Sequence, residues 1–222
     1  MNQIGFNLVA IGIFSVTFFS LLGPWLHISP VIPAVTTFAA LGLLTLDTLT
    51  WRGQGRVLLL DWFAQQDSSH RQRVLHHEAG HFLVAYLLEI PVTGYTLTAW
   101  DALQQRQTGQ GGVSFDCQDL DTELQQGTLS ARLLDRYCTV WMAGVAAETL
   151  IYGSAEGGGD DRQKFQTLWQ QLQRPFAECQ QKQRESVLKA QESLREHQPA
   201  YEALVKAMGQ RLEVSECLKA IH

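Results

Sequence analysis

The stretch VLHHEAGHFLVAYLLEI, residues 74–90, has two histidines four positions apart in a run whose apolar spacing otherwise predicts a buried helix. His77 and His81 would project from one face of that helix, one turn apart. Two ring nitrogens placed so can bind one ion at about 2.0–2.1 Å each. Glu78 is rotated by about 100° from His77, so it is a poor ligand for the same ion but can reach a water molecule beside it. The H-E-x-x-H spacing therefore predicts a zinc site with His77 and His81 as metal ligands and Glu78 as the general base of a hydrolytic reaction.

A catalytic zinc site needs a third protein ligand and one open position. The candidate carboxylates downstream are Glu148, Glu156, Asp160 and Asp161. The glycines of GGGDD (157–161) allow a loop to fold back before two acids at a predicted helix start. Aspartate there also caps the helix, and one side chain can do both. Glu148 is the alternative if a glutamate within a helix completes the site.

The N-terminal part of the chain contains two long apolar segments. Residues 4–22 have no charged side chain, and residues 31–49 have only Asp47. Each is close to the roughly 20 residues that cross a bilayer as a helix. No basic residue precedes the first segment and no small-residue cleavage site follows it, which argues against a cleaved signal peptide. Residues 1–55 are therefore predicted to form a transmembrane helical hairpin; a buried helical pair is the alternative.

The distribution of basic residues predicts the orientation of this hairpin. The connector, residues 23–30, has no Lys or Arg, whereas Arg52, Arg56, Arg71 and Arg73 follow the second span. Basic residues favour the cytoplasmic side. The segment after residue 55 is thus expected on the cytoplasmic side of the membrane, or on its organellar equivalent.

Composition excludes several other classes of protein. The four cysteines form no C-x-x-C pair, which suits a reducing compartment. The net charge of −5 contains no long block of one sign, so nothing indicates nucleic-acid binding. No G-x-x-x-x-G-K-[ST] motif occurs, so no P-loop for ATP is expected on this chain.

Apolar periodicity and turn residues predict a mostly α fold with a small β-hairpin, in which a helical domain of residues 56–222 follows the membrane hairpin. Its predicted elements are an amphipathic segment at 56–66, the histidine helix from about residue 67 to Glu89, strands at 92–100 and 111–116, a helix at 129–152, a loop at 153–161, a helix at 162–173, and one or two solvated helices in 176–222.

HHEAGHFLVAYLLEIPVTGYTL, MAGVAAETLIYG and GGGDD together resemble the peptidase domain of the FtsH family of membrane-bound zinc proteases, over roughly residues 70–172. The resemblance implies that Asp161 is the third zinc ligand, with Asp160 where the family usually has Asn. It also implies that Glu148 supports the site without binding the metal. GGVSF (111–115) falls where the family has a strand beside the cleft, to which a substrate peptide can add.

The chain also departs from that family. The ATPase module that normally lies between the spans and the peptidase is absent, since only about 25 residues separate Leu49 from the H-E-x-x-H motif. Val145 stands where the family has Arg. The last 50 or so residues match only loosely.

The sequence therefore predicts an ATP-independent zinc metallopeptidase in a plasma or thylakoid-type membrane, with its peptidase domain on the cytoplasmic or stromal side. Peptides and unfolded or membrane proteins are the expected substrates, and the expected protein partners are copies of itself or full-length FtsH-type proteases. The alternative is an inactive membrane scaffold or partner subunit of those proteases. A non-heme iron site is a third interpretation, but it has no use for Glu78.

Overall fold

The structure is a computed structural model that describes residues 3–23, 25–51, 53–105 and 111–221. Within these residues the chain forms eleven helices and a two-stranded antiparallel sheet, so the predicted mostly α fold with a small β-hairpin is confirmed. The elements are α1 (Gln3–Leu22), α2 (Val31–Thr50), α3 (Gln54–Ala64), α4 (Ser68–Leu87), β1 (Val92–Tyr95), α5 (Ala99–Gln104), β2 (Val113–Phe115), α6 (Gln118–Gln125), α7 (Ala131–Tyr152), α8 (Gly159–Gln171), α9 (Phe176–Glu196), α10 (Gln198–Gly209) and α11 (Val214–Ala220).

The chain divides into two compact units. Residues 1–67 and 98–110 belong to the first unit, and residues 68–97 and 111–222 belong to the second. The predicted domains, 1–55 and 56–222, stay a prediction. In the structure, α3 and α5 belong with the N-terminal helices.

Helix α2 is, among the described residues, the one helix long and apolar enough to cross a membrane. Only 6% of its most apolar window is buried, so it does not have the environment of a core helix. The other predicted span is helical over Gln3–Leu22, and its described apolar part runs from Val9 to Leu22. A second crossing therefore stays a prediction, as does the orientation. Arg52, one of the residues that predicted the orientation, lies outside the described residues.

Asp47, the single acid of α2, joins this helix to α3. Its carboxylate accepts hydrogen bonds from the backbone N–H groups of Gly55 (2.8 Å) and Arg56 (3.0 Å). A Cβ at position 55 would lie 2.7 Å from Asp47 Oδ1, so only glycine permits this approach. The amphipathic segment predicted at 56–66 thus forms α3, with its first turn capped from the end of α2.

The second unit is built on helices α4 and α7, against which α9 and α10 pack. Its core contains large buried side chains from each of these helices: Phe82, Leu83, Tyr137, Met142, Leu194, Leu204 and Met208. Helix α4 ends two residues earlier than predicted. Glu89 there adopts a left-handed conformation (φ 55°), and Pro91 prevents continuation.

The hairpin strands are shorter than predicted. β1 pairs with β2 in the register Val92↔Phe115, Gly94↔Ser114 and Tyr95↔Val113. The prediction of strand over 92–100 is wrong beyond Tyr95, because Thr98 accepts a hydrogen bond from the backbone N–H of Asp101 and so caps a short helix, α5. Gln105 follows this helix, and residues 106–110 lie outside the described residues.

The prediction for residues 176–222 is wrong in the number of helices and in their burial. Three helices, α9 to α11, form where one or two were expected. Their sequences are mostly polar, but their apolar residues lie in the core of the second unit. Helix α6 was not predicted, because its eight mostly polar residues carry little apolar periodicity.

Candidate metal centre

His77 and His81, one turn apart on α4, turn the same ring nitrogen toward each other. Their Nε2 atoms are 3.1 Å apart. Each Nδ1 is occupied by α7: that of His77 lies 2.7 Å from Glu148 Oε1, and that of His81 lies 2.7 Å from the backbone oxygen of Val140. Because an acceptor holds each Nδ1–H, the neutral form of each imidazole presents its Nε2 lone pair to a metal ion.

Asp161 closes this group from the first turn of α8. Its Oδ2 lies 3.2 Å from His77 Nε2 and 3.3 Å from His81 Nε2. All three residues are buried, whereas Asp160 is exposed. The predicted capping role does not fall to either acid, since Gly158 occupies the N-cap position of α8 without a side-chain bond. His77, His81 and Asp161 could together hold a metal ion.

The spacing of the three donor atoms suits a tetrahedral ion. Ligands at about 2.0–2.2 Å from a tetrahedral zinc ion would lie about 3.4 Å from each other. The observed separations are 3.1, 3.2 and 3.3 Å. Two imidazole nitrogens and one carboxylate oxygen are also donors that zinc accepts in hydrolytic sites.

Three residues of α7, spaced four apart, lie against the two imidazoles. Val140 and Glu148 hold the rings, and Gly144 lies between them. A Cβ at position 144 would overlap the His77 ring. The helices also approach closely at Gly80, where a Cβ would lie 2.7 Å from the Ala143 oxygen. Helix α7 therefore fills the space beside Gly80.

Glu148 is buried and fixed by several donors. It accepts hydrogen bonds from the backbone N–H groups of Glu156 (2.9 Å) and Gly157 (3.1 Å), and its Oε2 lies 3.5 Å from Arg73. A side chain at position 157 would collide with it, since a Cβ would lie 2.5 Å from Oε1. Glu148 thus holds the His77 ring and is not itself among the three grouped donors.

Arg73 was not recognised as part of the site from the sequence. Its guanidinium lies over the Tyr152 ring at 4.4 Å, donates to the Ser154 backbone oxygen at 3.1 Å and lies 3.3 Å from Glu156. It therefore joins α4 to the segment between α7 and α8. Its position one turn before His77 is the only signal the sequence offers, and an exposed arginine would look the same.

The electrostatic environment of the site strongly changes the pKa of His77 and of the two acids beside it. Burial alone would lower the pKa of this imidazole, but its hydrogen bonds with Asp161 and Glu148 outweigh burial and raise the pKa to about 10. Burial also opposes the charged form of Asp161 and Glu148, and alone it would raise the pKa of both carboxyl groups. The imidazoles instead hold the pKa of Asp161 far below its usual range, and His77 and the backbone donors lower the pKa of Glu148. Without metal, His77 is thus protonated, and its ring lies between the carboxylates of Glu148 and Asp161.

Glu78 is half-buried and faces the start of β2. Its Oε2 accepts a hydrogen bond from the Val113 backbone N–H at 2.9 Å. The adjacent Gly112 has φ 127°, and a Cβ there would lie 3.0 Å from the same oxygen. This contact explains the glycine pair before the strand: Gly112 supplies both the backbone conformation and the space that the carboxylate needs.

His76 points away from the metal donors. Its Nδ1 lies 2.9 Å from the Tyr201 hydroxyl, which in turn donates to the His76 backbone oxygen at 3.0 Å. His76 therefore joins α4 to α10 through its contacts with Tyr201.

The fold and the site together define a mostly helical protein with a buried pair of histidines and an aspartate arranged to hold a metal ion. No protein-family model matches the chain. The similarity to the FtsH family accordingly rests on the motifs quoted above and stays a prediction.

Proposed function

We propose that the chain is a membrane-anchored zinc metallopeptidase of the FtsH type that hydrolyses peptide bonds without ATP. The observation that carries the proposal is the convergence of His77 Nε2, His81 Nε2 and Asp161 Oδ2 within 4.8 Å of one another. The two histidines lie on α4, the helix that also bears Glu78, and Asp161 comes from α8. No P-loop motif occurs in the 222 residues, so the proposed reaction does not draw on ATP bound to this chain.

A zinc ion held by these three residues would supply Lewis acidity and bring the pKa of a water molecule to about 7. Glu78 acts as the base that takes a proton from the attacking water and returns it to the leaving amine. Glu148 and Val140 keep the two imidazoles in the tautomer that presents Nε2. The burial of the three ligands limits competing contact with solvent.

The proposed substrates are loosely folded peptide segments. β2 has β1 on one side, and the Val113 N–H on the other side bonds to Glu78. A substrate strand that paired along this second side would lie beside the proposed base. Membrane proteins are included because α2 has the length and composition of a span.

The decisive experiment replaces Glu78 with Gln in the full chain and measures zinc content and casein hydrolysis together. The variant is expected to keep one zinc per chain and wild-type helix content, but to lose about 100-fold or more in hydrolysis rate, the usual contribution of a general base. Glu178→Gln, the same change at an exposed position of α9, is the matched control and should leave the rate unchanged.

Other outcomes of these measurements would support the alternative functions. Unchanged hydrolysis by Glu78→Gln would remove Glu78 from the mechanism. A wild-type protein with stoichiometric zinc but no chelator-sensitive hydrolysis would support the inactive scaffold or partner subunit. Iron rather than zinc in protein expressed without added metal would support the non-heme site.

A further inference from the structure

Two short helices of the N-terminal unit each expose an apolar face. On α3 the exposed apolar residues are Leu59, Trp62 and Phe63, at the i, i+3, i+4 spacing of one helix face. On α5 they are Trp100 and Leu103, at i, i+3. Trp62 and Trp100 are 59% and 57% exposed, which is unusual for the largest apolar residue. We call these five residues the aromatic platform.

The platform is one structural piece. The Asp61 carboxylate of α3 accepts a hydrogen bond from the Ala99 backbone N–H at 2.9 Å and so caps α5. Ala64, Ala99 and Ala102 are buried, and Val57, Leu58 and Leu60 of α3 are half-buried. The five platform residues, by contrast, are exposed and remain uncovered.

The platform is tied to the end of the apolar helix α2. Three residues connect α2 and α3, a length that spans about 10 Å at most. The two hydrogen bonds from Gly55 and Arg56 to Asp47 hold the start of α3 at that end. Gly53, with φ 81°, makes the turn. Helix α3 therefore begins where a membrane crossed by α2 would end.

We infer that the aromatic platform lies in the headgroup region of the bilayer and binds lipid. This inference rests on the proposed membrane anchoring by α2. Exposed Trp and Phe beside one exposed cation, Arg56, on a short helix are typical of interfacial segments. Helix α2 in the same unit also has exposed apolar side chains, among them Phe38, which is 81% exposed. A bilayer crossed by α2 would cover these side chains and the platform together.

Lipid binding by α5 has a consequence for the connection between β1 and β2. Helix α5 lies in that connection, so part of the connection would then be at the bilayer. The chain would then touch the bilayer through the β-hairpin connection as well as through its N-terminal helices.

The inference is tested by spin labelling of the full chain in vesicles of phosphatidylcholine and phosphatidylglycerol. Single nitroxide labels are attached after Trp62→Cys or Trp100→Cys, in a background carrying Cys117→Ser, because the other three cysteines are buried. Phe38→Cys is the reference within the proposed span. Leu188→Cys, at a residue of α9 that is 64% exposed, is the aqueous reference.

The measured quantities are the collision rates of each label with oxygen, which concentrates in lipid, and with a water-soluble nickel chelate. Labels at 62 and 100 are expected to collide with the chelate several-fold less often than the label at 188. Leu59→Cys and Leu103→Cys, which keep both indole rings, should give the same result if the faces rather than the rings contact lipid.

The references separate the two ways of failing. If labels at all four platform positions meet the chelate as often as the label at 188, while the label at 38 stays in lipid, the inference is overturned and the membrane anchor stands. If the label at 38 is also in water, the anchor fails together with the inference. Protection at 62 but not at 100 or 103 would remove α5 from the surface and overturn the claim for the hairpin connection.

Discussion

At the scale of single residues, the two imidazoles divide their nitrogens in the same way. The Nδ1 atoms bond to Glu148 and to the Val140 oxygen, and the Nε2 atoms face Asp161. The ring orientations are thus set by α7 before any metal binds. Binding then requires little rearrangement of His77 or His81, which favours affinity.

The two adjacent acids should differ sharply in their effect on metal binding. Asp161→Asn removes the charged donor and is expected to weaken zinc binding by more than the roughly 10- to 100-fold typical of supporting residues. Asp160→Asn, at an exposed neighbour, is the control and should bind zinc like the wild type. Competition with a chromophoric chelator measures both affinities. Equal losses, or a larger loss at 160, would contradict the assignment of the third ligand.

Zinc binding should release a proton and strengthen as pH rises. The pKa of His77 is raised to about 10 without metal, so the imidazole is protonated at neutral pH and must lose that proton to bind zinc. The apparent affinity should therefore increase by up to about tenfold per pH unit from about pH 7 to about pH 9. Calorimetry in buffers of different ionisation enthalpy counts the protons released. An affinity that does not change over this range would show that His77 is neutral in the metal-free protein.

Part of the metal site could be predicted from the sequence alone. The spacing of His77, Glu78 and His81 determines their relative directions as soon as the segment is helical, so these residues could be predicted. The choice between Asp160 and Asp161 depends on the rotation of α8, which the packing of its buried face sets. Arg73 could not be predicted, because its partners lie about 80 positions further along the chain.

At the scale of elements, the contact between α4 and α7 depends on glycines. Gly144→Ala is expected to destabilise the protein by about 1–3 kcal/mol, because its Cβ would overlap the His77 ring within a packed core. Zinc content should fall as well. Gly159→Ala is the control, since a Cβ there meets nothing within 4 Å, and it should be neutral or stabilise α8 by up to about 1 kcal/mol. Denaturant unfolding in detergent gives both values. A Gly144→Ala protein as stable as the wild type would mean that the helices can separate without cost.

The elements that the sequence failed to predict have a common cause. The apolar spacing of α4 and α7 is strong, and both helices could be predicted to within a few residues. α5 was missed because the aromatic residues of its segment favour a strand, whereas the Thr98 cap and the contact with Asp61 favour a helix. The burial of α9 and α10 was missed because their small and polar residues, such as Ser186 and Gln191, are buried only after they pack on α4 and α7.

At the scale of the whole molecule, the fold should not require the metal. The core of the second unit is formed by α4, α7, α9 and α10, and without metal the donor atoms bond to each other. Removal of zinc by a chelator is expected to leave the far-ultraviolet circular dichroism unchanged. The midpoint of thermal unfolding should fall by about 5–10 °C, the loss expected for a ligand held well above its dissociation constant. Loss of helical signal on chelation would instead show that zinc is needed for folding.

The stripe formed by Val140, Gly144 and Glu148 on α7 also provides a pattern for searching other sequences. The backbone oxygen of Val140, the glycine without a Cβ and the carboxylate of Glu148 follow one another at intervals of four residues. A glycine followed four residues later by a glutamate, on a helix downstream of H-E-x-x-H, therefore indicates a chain that can position both imidazoles. A single inserted residue between Gly144 and Glu148 would turn one position away by about 100° and leave the helix intact. Chains that keep the two histidines but break this interval would then be recognisable, from their genes alone, as proteins that have lost the metal.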